Sequence, residues 1–442
     1  MKIKSITVGN FKNIAETKLD LNQMVAIVST NNYGKSNLLE SINFGFDYIV
    51  ASAKGRSNMM RWTRGIPLNP QLANNDYVFC VEFEDPTLGE YQFVRYSFSF
   101  KWYNDQGTGA VISDENIEMR STESVRYTAY LKRNEGKYRA SKSKSGFRKI
   151  LLAKDVLAID VLSAMEDIDI ANVISKIKDL SYRMCNTLEL DKSFRPTPIE
   201  FDFEHSSSLA FDDEDVPKAL SVLKKENPEK FNLFIETIYD LFPEFKKIEL
   251  QSYALKIKDN PQIRAFVVSK NDIEESPVDS AEIPYHIKDE LYRLIIHSDY
   301  LNQPISMEHM STGTKRIIWL IANAVFGNCY GTNLIGVDEI ETSIHPKMIR
   351  NLLESLNCIL EDSSMIVTSH SPYLIQYLKP ESIYVGAPNN NGVASFKKIP
   401  HSKIKSLLNT TRDLESSVGE YLFELMAGDE DSAEVLSAYL EG

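Results

Sequence analysis

The sequence predicts an α/β protein with an antiparallel β-rich segment and a helical insertion. Three observations predict it. The run Ser29-Thr-Asn-Asn-Tyr-Gly34-Lys35-Ser36 lies between a strand pattern and a helix pattern. The run Asn333-Leu-Ile-Gly-Val-Asp338-Glu339 is an apolar strand that ends in two acids. From residue 313 onward, strand and helix patterns alternate. A chain of 442 residues allows roughly two to four domain-sized units, or one fold enlarged by an insertion.

Each element follows from local pattern. Residues 2–8 and 23–29 are strands around a turn-rich piece containing Phe11-Lys12-Asn13, and a helix runs from Lys35 to about Tyr48. Residues 77–84, 91–103 and 126–133 are rich in aromatic and β-branched side chains and predict antiparallel strands, with a turn at 105–109. From about 160 to 242 the period is helical, broken by an acidic loop near 205–215. Strands are expected again at 247–257 and 263–270, joined by a turn at 259–262. The last part predicts helices near 313–326, 346–360 and 371–378, and strands near 333–338 and 364–369. No internal repeat and no long heptad array is present.

Composition removes several classes. The chain is 43% hydrophobic and 25% charged, which excludes wholesale disorder and fibrous repeats. No run approaches the roughly 18 apolar residues of a membrane span, and the opening strand lacks the features of a signal peptide. The four cysteines are dispersed without CxxC pairing, which points to a reducing cytosol, not to zinc or disulfides. A net charge of −13 excludes nucleic-acid binding over the whole surface. It leaves one local patch, 132–149, with eight basic residues (Lys132, Arg133, Lys137, Arg139, Lys142, Lys144, Arg148, Lys149) against Glu135. A looser cluster is Lys54, Arg56, Arg61 and Arg64 around Trp62.

Four motifs carry chemistry. The first run fits the phosphate-loop pattern GxxxxGK[ST] except that Ser29 replaces the first glycine, which is expected to distort the loop or lower affinity. Its amides point at a β-phosphate, Lys35 bridges β- and γ-phosphates, and Ser36 holds Mg²⁺. In the second, Asp338 holds Mg²⁺ with Ser36 and Glu339 polarises the attacking water. Glu341 competes for that role but reads more simply as a solvated loop carboxylate. Gly336 slightly weakens the apolar run. The third, Met310-Ser311-Thr312-Gly313-Thr314-Lys315, opens a helix and suits the γ-phosphate of a nucleotide on a second copy of the chain. The fourth, Ile366-Val-Thr-Ser369-His370-Ser371-Pro372, aims an imidazole from a strand end toward the γ-phosphate. A fortuitous Gly-Lys-Ser helix start, a buried strand with polar ends, a plain serine cap and a structural histidine each explain one motif alone. The order and spacing of all four favour the joint reading.

This set resembles the ABC-type ATPases of the RecF, SMC and OLD group. The resemblance rests on Asn10-Phe11-Lys12-Asn13, on Asn31 through Glu40, on Ser311 through Lys315, on Val337 through Pro346 and on Thr368 through Leu374. It covers the N-terminal portion and everything from about 243 onward. It implies an ABC-type P-loop ATPase head, a mixed sheet with helices plus an antiparallel β-subdomain. The head would be formed by 1–163 and 243–442, with 164–242 as an inserted helical arm. It implies ATP and Mg²⁺ as cofactors, bound by Asn31, Asn32, Tyr33, Gly34, Lys35, Ser36 and Asn37, with Ser36 and Asp338 as metal ligands. Ser311 and Gly313 of a partner copy complete the site, Glu339 is the general base, and His370 senses the γ-phosphate. The Q-loop glutamine has no match; Gln71 is a poor candidate.

The resemblance also implies a homodimer or higher homo-oligomer, in the cytoplasm and without a membrane. Seventy-two residues follow His370, and they lack the glutamate and paired aspartates of a Toprim nuclease. The expected role is therefore regulation of a separate effector, a nuclease or toxin, in anti-phage defence. The alternative is a RecF-like DNA-repair or chromosome-maintenance ATPase that contacts DNA through 132–149. A small-molecule kinase is opposed by the Ser-Thr-Gly-Thr run and His370. A non-hydrolysing scaffold is made conceivable by Ser29.

Overall fold

The computed structural model describes residues 1–104, 106–139, 146–165, 169–186, 190–195, 197–201, 215–254, 267–268, 273–274, 285–387 and 391–441. The expected acidic loop, the turn at 259–262, most of the strand at 263–270, Asp105 of the turn, and Lys142 and Lys144 fall outside them. Two compact units are present: Met1–Thr187 with Ser207–Ala210 and Asn323–Gly442, and Leu188–Ser206 with Phe211–Ala322.

The first unit holds a six-stranded sheet in the order Tyr182–Cys185, Leu334–Val337, Ser364–Ser369, Met24–Val28, Ile383–Gly386, Phe396–Lys398. The first five strands are parallel and the last is antiparallel to its neighbour. The three central strands are buried at every residue. That is the reason they read as unbroken apolar runs, since a parallel sheet is covered on both faces. Their parallel direction brings the residues after Val28, Val337 and Ser369 to one edge, the carboxyl edge where ligands of open α/β sheets bind.

An eight-stranded antiparallel sheet, from Thr17–Asp20 through Lys2–Gly9 to Arg148–Lys149, completes the β-rich part. Tyr77–Glu84 alternates buried and half-buried positions, as a one-faced strand must. Its Tyr77 and Phe79 pack on Phe44 and Phe46 of the helix Lys35–Val50, and on the next strand, Phe93–Lys101, Phe98 and Phe100 stack with Tyr48 at 4.8 and 5.0 Å. The helix that starts at the phosphate loop is therefore clamped along its length by aromatic burial.

Val111–Arg120 is a strand in this sheet that the sequence reading passed over. Its run Ser113-Asp-Glu-Asn116 looks like a loop. Glu115 is nonetheless fully buried, accepting from the N–H groups of Ala158 and Ile159, the Tyr96 phenol and Arg133. Burial raises its carboxyl pKa, and those donors oppose the rise.

The segment 164–242, expected to be helical apart from the acidic loop, contains the strand Tyr182–Cys185, which pairs with Leu334–Val337. Four residues are too short to break a helical period in the sequence. Gly336 lies against the Tyr182 side chain. A Cβ there would lie 1.8 Å from the Tyr182 hydroxyl. Glycine at this position makes room for a buried phenol rather than weakening the strand.

In the second unit, helices Val216–Glu226 and Pro228–Leu241 begin at Asp215 and Asn227, whose side chains accept from Lys218 and Lys230 N–H. Phe245–Ala254 pairs antiparallel with Glu290–Ser298. The helix Thr312–Tyr330 begins here too. Among the described residues no helix is long and apolar enough to cross a membrane, and none of the four cysteines is in a disulfide.

Two stability predictions follow from burial. Burial pushes the Asp47 carboxyl up to about 6, against the stabilising hydrogen bond from Asn43. A carboxyl with a raised folded pKa binds more protons folded than unfolded, so stability is lost as pH rises from about 4 through about 6. Asp47→Asn should raise Tm at neutral pH, by about 1–3 kcal/mol of stability, and much less at pH ~4. An equal shift at both pH values contradicts this account. Gly336→Ala should cost about 1–3 kcal/mol through overpacking. Adding Tyr182→Phe should recover part of that loss, because the Tyr182 hydroxyl is buried without a hydrogen-bond partner.

Candidate functional site

The phosphate loop leaves the buried strand Met24–Val28 and enters the helix at Lys35. Ser29 is fully buried and its hydroxyl donates to the Thr30 carbonyl at 3.1 Å. Its backbone is not in the left-handed region, so glycine is not required there and the expected distortion does not occur. The left-handed positions are Asn32, with φ 60°, and Gly34, with φ 130°. A Cβ at Gly34 would approach both Asn13 amide atoms and the Ala394 methyl within 3.1 Å. Glycine is therefore required at the second position of the pattern and not at the first.

The expected loop residues divide by what their side chains do. Asn31 and Asn32 are exposed at the loop tip. Tyr33 turns away: its hydroxyl donates to the Ser395 carbonyl at 3.1 Å, and its ring stands edge-on to Phe396. Asn37 donates to Asn13 Oδ1 at 2.8 Å and accepts from Lys12 Nζ at 3.2 Å. For Tyr33 and Asn37 the side chain thus anchors the loop, and only the backbone is left to serve a ligand. Asn13 donates to the Tyr33 carbonyl at 2.9 Å, which ties loop and helix to the first strand's turn. Its position was singled out in the sequence without a role.

Lys35 Nζ lies over the loop and donates to the Ser29 and Thr30 carbonyls, both at 3.1 Å. Burial lowers its ammonium pKa below the ordinary lysine value, and Glu339, Asp338 and Glu341 oppose that shift. Three acids at and just after the second motif thus act on the lysine of the first.

Asp338 links the remaining motifs. Ser36 Oγ donates to its Oδ2 at 2.8 Å and Thr368 Oγ1 to its Oδ1 at 2.6 Å. Thr368 Oγ1 also accepts from Glu339 N–H at 2.8 Å. Thr368 is a site residue that sequence reasoning left without a role. The available signal was a hydroxyl at the strand end two residues before His370. Glu339 takes a left-handed backbone, φ 47°, and so does Ser343, φ 64°. Such strain in non-glycine residues concentrates at functional sites.

His370 Nδ1 is 3.8 Å from Glu339 Oε1 and 3.5 Å from Glu341 Oε1. Glu341 is not a solvated loop carboxylate. Its side chain is 9% exposed, and Oε1 accepts from Ser369 Oγ at 2.9 Å and His370 N–H at 3.0 Å.

Ser36 Oγ and Asp338 Oδ2 form a pair of hard oxygen donors. That suits Mg²⁺, which takes one or two protein oxygens and keeps several waters. Among the described residues there is no cluster of three or more acidic, histidine or cysteine side chains of the kind an all-protein metal cage needs.

Ser311 and Gly313 lie in the second unit. Ser311 is exposed and caps the helix, accepting from Thr314 N–H at 3.2 Å. Gln71 is exposed, and its side chain accepts from Asn391. The basic stretch is partly committed elsewhere. Arg133 binds the carbonyls of Val156 and Ala153, and Lys132 and Lys137 pair with Glu135. Arg56 of the looser cluster is buried on Asp160. A cavity of about 680 Å³ beside the loop helix is lined by Lys12, Phe44, Asp47, Trp62 and Arg64 among others, and by none of Lys35, Asp338, Glu339 and His370.

Comparison with known proteins gives three likenesses. Residues 171–376 match the family described as "AAA domain, putative AbiEii toxin, Type IV TA system". The chain is 21% identical over 225 residues to the "Retron Ec83 probable ATPase" of Escherichia coli, a match covering 49% of this chain and 34% of that protein. It therefore spans about a third of that relative's length. A crystal structure of an SMC head bound to the C-terminal winged-helix domain of ScpA aligns over 92% of this chain and all of that one, with TM-score 0.50 and 13% identity. That likeness concerns the fold. The chain thus has the fold of an SMC head, a mixed sheet with helices beside an antiparallel β-subdomain.

Proposed function

We propose that this protein binds ATP with Mg²⁺ and hydrolyses it slowly as a head-to-head dimer, and that the cycle regulates a separate effector in anti-phage defence. The observation that carries the reading is the Asp338 carboxylate shared by Ser36 and Thr368 beside Lys35. It joins the phosphate loop, acidic strand and switch strand in one cluster.

The residues act as follows. Loop amides from Asn31 to Ser36 cradle the phosphates at the helix start, and Lys35 neutralises the β- and γ-phosphates. Ser36 and Asp338 would hold Mg²⁺, which when bound offsets phosphate charge. Glu339 accepts the proton of the attacking water, and His370 stands beside it at the reacting end. Ser311 and Gly313, at an exposed helix start, supply a second copy's γ-phosphate with amides and a hydroxyl. The effector role rests on two names. The matched family's description names a "putative AbiEii toxin, Type IV TA system", and the relative is named "Retron Ec83 probable ATPase". The DNA-binding alternative is weakened by the ion pairs and carbonyl contacts that occupy Lys132, Arg133 and Lys137.

Lys35→Ala should raise the Kd for ATP at least about 100-fold in a calorimetric titration, since a buried charge-assisted contact is lost. Glu339→Gln should lower kcat by about 10²–10⁴-fold while leaving ATP affinity intact. It should also double the mass measured by light scattering when ATP is added. A Glu339→Gln protein that binds ATP and stays monomeric removes the dimer from this proposal. Ser311→Arg should block the mass increase without changing ATP affinity.

A further inference from the structure

The cavity of about 680 Å³ beside the loop helix lies wholly in the first unit. One stripe of that helix supplies one side: Glu40, Asn43, Phe44 and Asp47 recur at three- and four-residue spacing. The segment after Met59 forms another. Trp62 N–H donates to the Met59 carbonyl, Gly65 N–H to the Trp62 carbonyl and Lys12 N–H to the Gly65 carbonyl, at 2.9–3.0 Å. The Trp62 ring is backed by Phe44, parallel within 7° at 6.0 Å, yet the residue is 37% exposed. The other two tryptophans, Trp102 and Trp319, are buried. Four charged side chains line the cavity, and Lys12 and Glu40 neutralise each other as an ion pair. Arg64 is exposed and has no ion pair or hydrogen bond among the described residues. Asp47 accepts from Asn43 through Oδ2 at 2.7 Å, while its Oδ1 accepts nothing among the described residues and is not sealed from solvent. Its carboxyl, pushed up to about 6 by burial, is still mostly ionised at neutral pH. A half-buried carboxylate with one hydrogen bond lacks donors, and a ligand can supply them.

We infer that this cavity is a nucleotide site apart from the phosphate loop and takes a free guanine mononucleotide: the base lies on Trp62, its N1–H and 2-amino group donate to Asp47, and its phosphate meets Arg64. Guanine is the one common base with two adjacent donors on its pairing edge. Adenine and cytosine set a ring-nitrogen acceptor beside one amino donor, and uracil flanks one N–H with two carbonyl oxygens. Each of these turns a lone pair toward an ionised carboxylate, which only accepts. An aromatic platform stacks any base, so Trp62 supplies contact area and Asp47 decides identity. One unpaired cation, in a chain of net charge −13, matches a single phosphate group and not a nucleic-acid strand. None of Lys35, Asp338, Glu339 and His370 lines the cavity, so its occupant does not compete for the phosphate loop.

The probe is GMP added to the full chain, read by calorimetry and by tryptophan fluorescence, to which Trp62 is the exposed contributor. GMP should quench saturably with a Kd of about 1–500 µM, and AMP should bind at least about 10-fold more weakly. Asp47→Asn, expected to raise Tm at neutral pH, should weaken GMP about 10–100-fold and erase the preference over AMP. Because that variant is the more stable one, its loss of GMP is not loss of fold. Arg64→Gln should weaken GMP about 10-fold and leave guanosine binding unchanged. Trp62→Phe should abolish the quench while calorimetric binding stays within about 10-fold of native. Lys35→Ala, which disables the phosphate loop, should bind GMP as the native chain does. No saturable binding of GMP up to about 5 mM overturns the inference. So does equal binding of AMP, or native affinity for GMP in Asp47→Asn. Loss of GMP binding in Lys35→Ala also overturns it, because the nucleotide then sits in the phosphate loop. A native chain that binds no ATP defeats the ATPase reading separately and leaves these outcomes unchanged.

Discussion

The Asp338 carboxylate is held from both sides, by Ser36 at the start of the loop helix and by Thr368 at the end of the switch strand. Hydrogen bonds to an ionised group contribute about 1.5–3 kcal/mol each, more than neutral ones. The larger consequence is geometric. Three segments far apart in sequence are pinned to one carboxylate, so the phosphate loop, the acids and the switch histidine hold one arrangement. The sheet makes this possible. Parallel pairing of Met24–Val28, Ser364–Ser369 and Leu334–Val337 sends all three chain segments out at the same edge. Burial of every residue in those strands keeps the edge rigid.

The phosphate loop shows how a pattern can change a residue and keep its geometry. The first glycine of the usual pattern is Ser29, and the loop accommodates it in ordinary backbone space with its hydroxyl turned onto a neighbouring carbonyl. Conformational strain is placed instead at Asn32 and Gly34. Anchors then fix the loop from outside: Tyr33 on the segment around Ser395, and Asn13 on the Tyr33 carbonyl and Asn37. These polar side chains sit in the motif without reaching toward a ligand. Motif membership alone did not distinguish an anchor from a contact.

Charge is organised locally against an acidic background of −13. Lys35 is drawn into a buried position where desolvation disfavours its charge, and three carboxylates offset only part of that. Away from the site, one cation from each basic cluster of the sequence is committed to structure. Arg133 supports the turn after Ala153, and Arg56 is buried against Asp160. A linear count of basic residues therefore overstates the charge offered to a polyanion, because burial takes side chains such as Arg133 and Arg56 out of reach.

The sequence by itself determined the fold class and the motif order. Unbroken apolar strands, a Gly-Lys-Ser helix start, an acidic strand end and a strand-terminal histidine are local patterns, and local patterns survive without tertiary information. It also marked most of the strands that carry alternating aromatics. What it missed depends on pairing in space. Val111–Arg120 carries a polar run whose buried Glu115 finds its donors on residues about 20 to 40 positions away. Tyr182–Cys185 is too short to show a period and becomes a strand only beside Leu334–Val337. Thr368 and Glu341 are ordinary side chains until the sheet sets them against Asp338 and His370. Only the tertiary structure could decide their roles, because a hydrogen bond between distant segments is specified by strand order and register, which no single stretch of sequence contains.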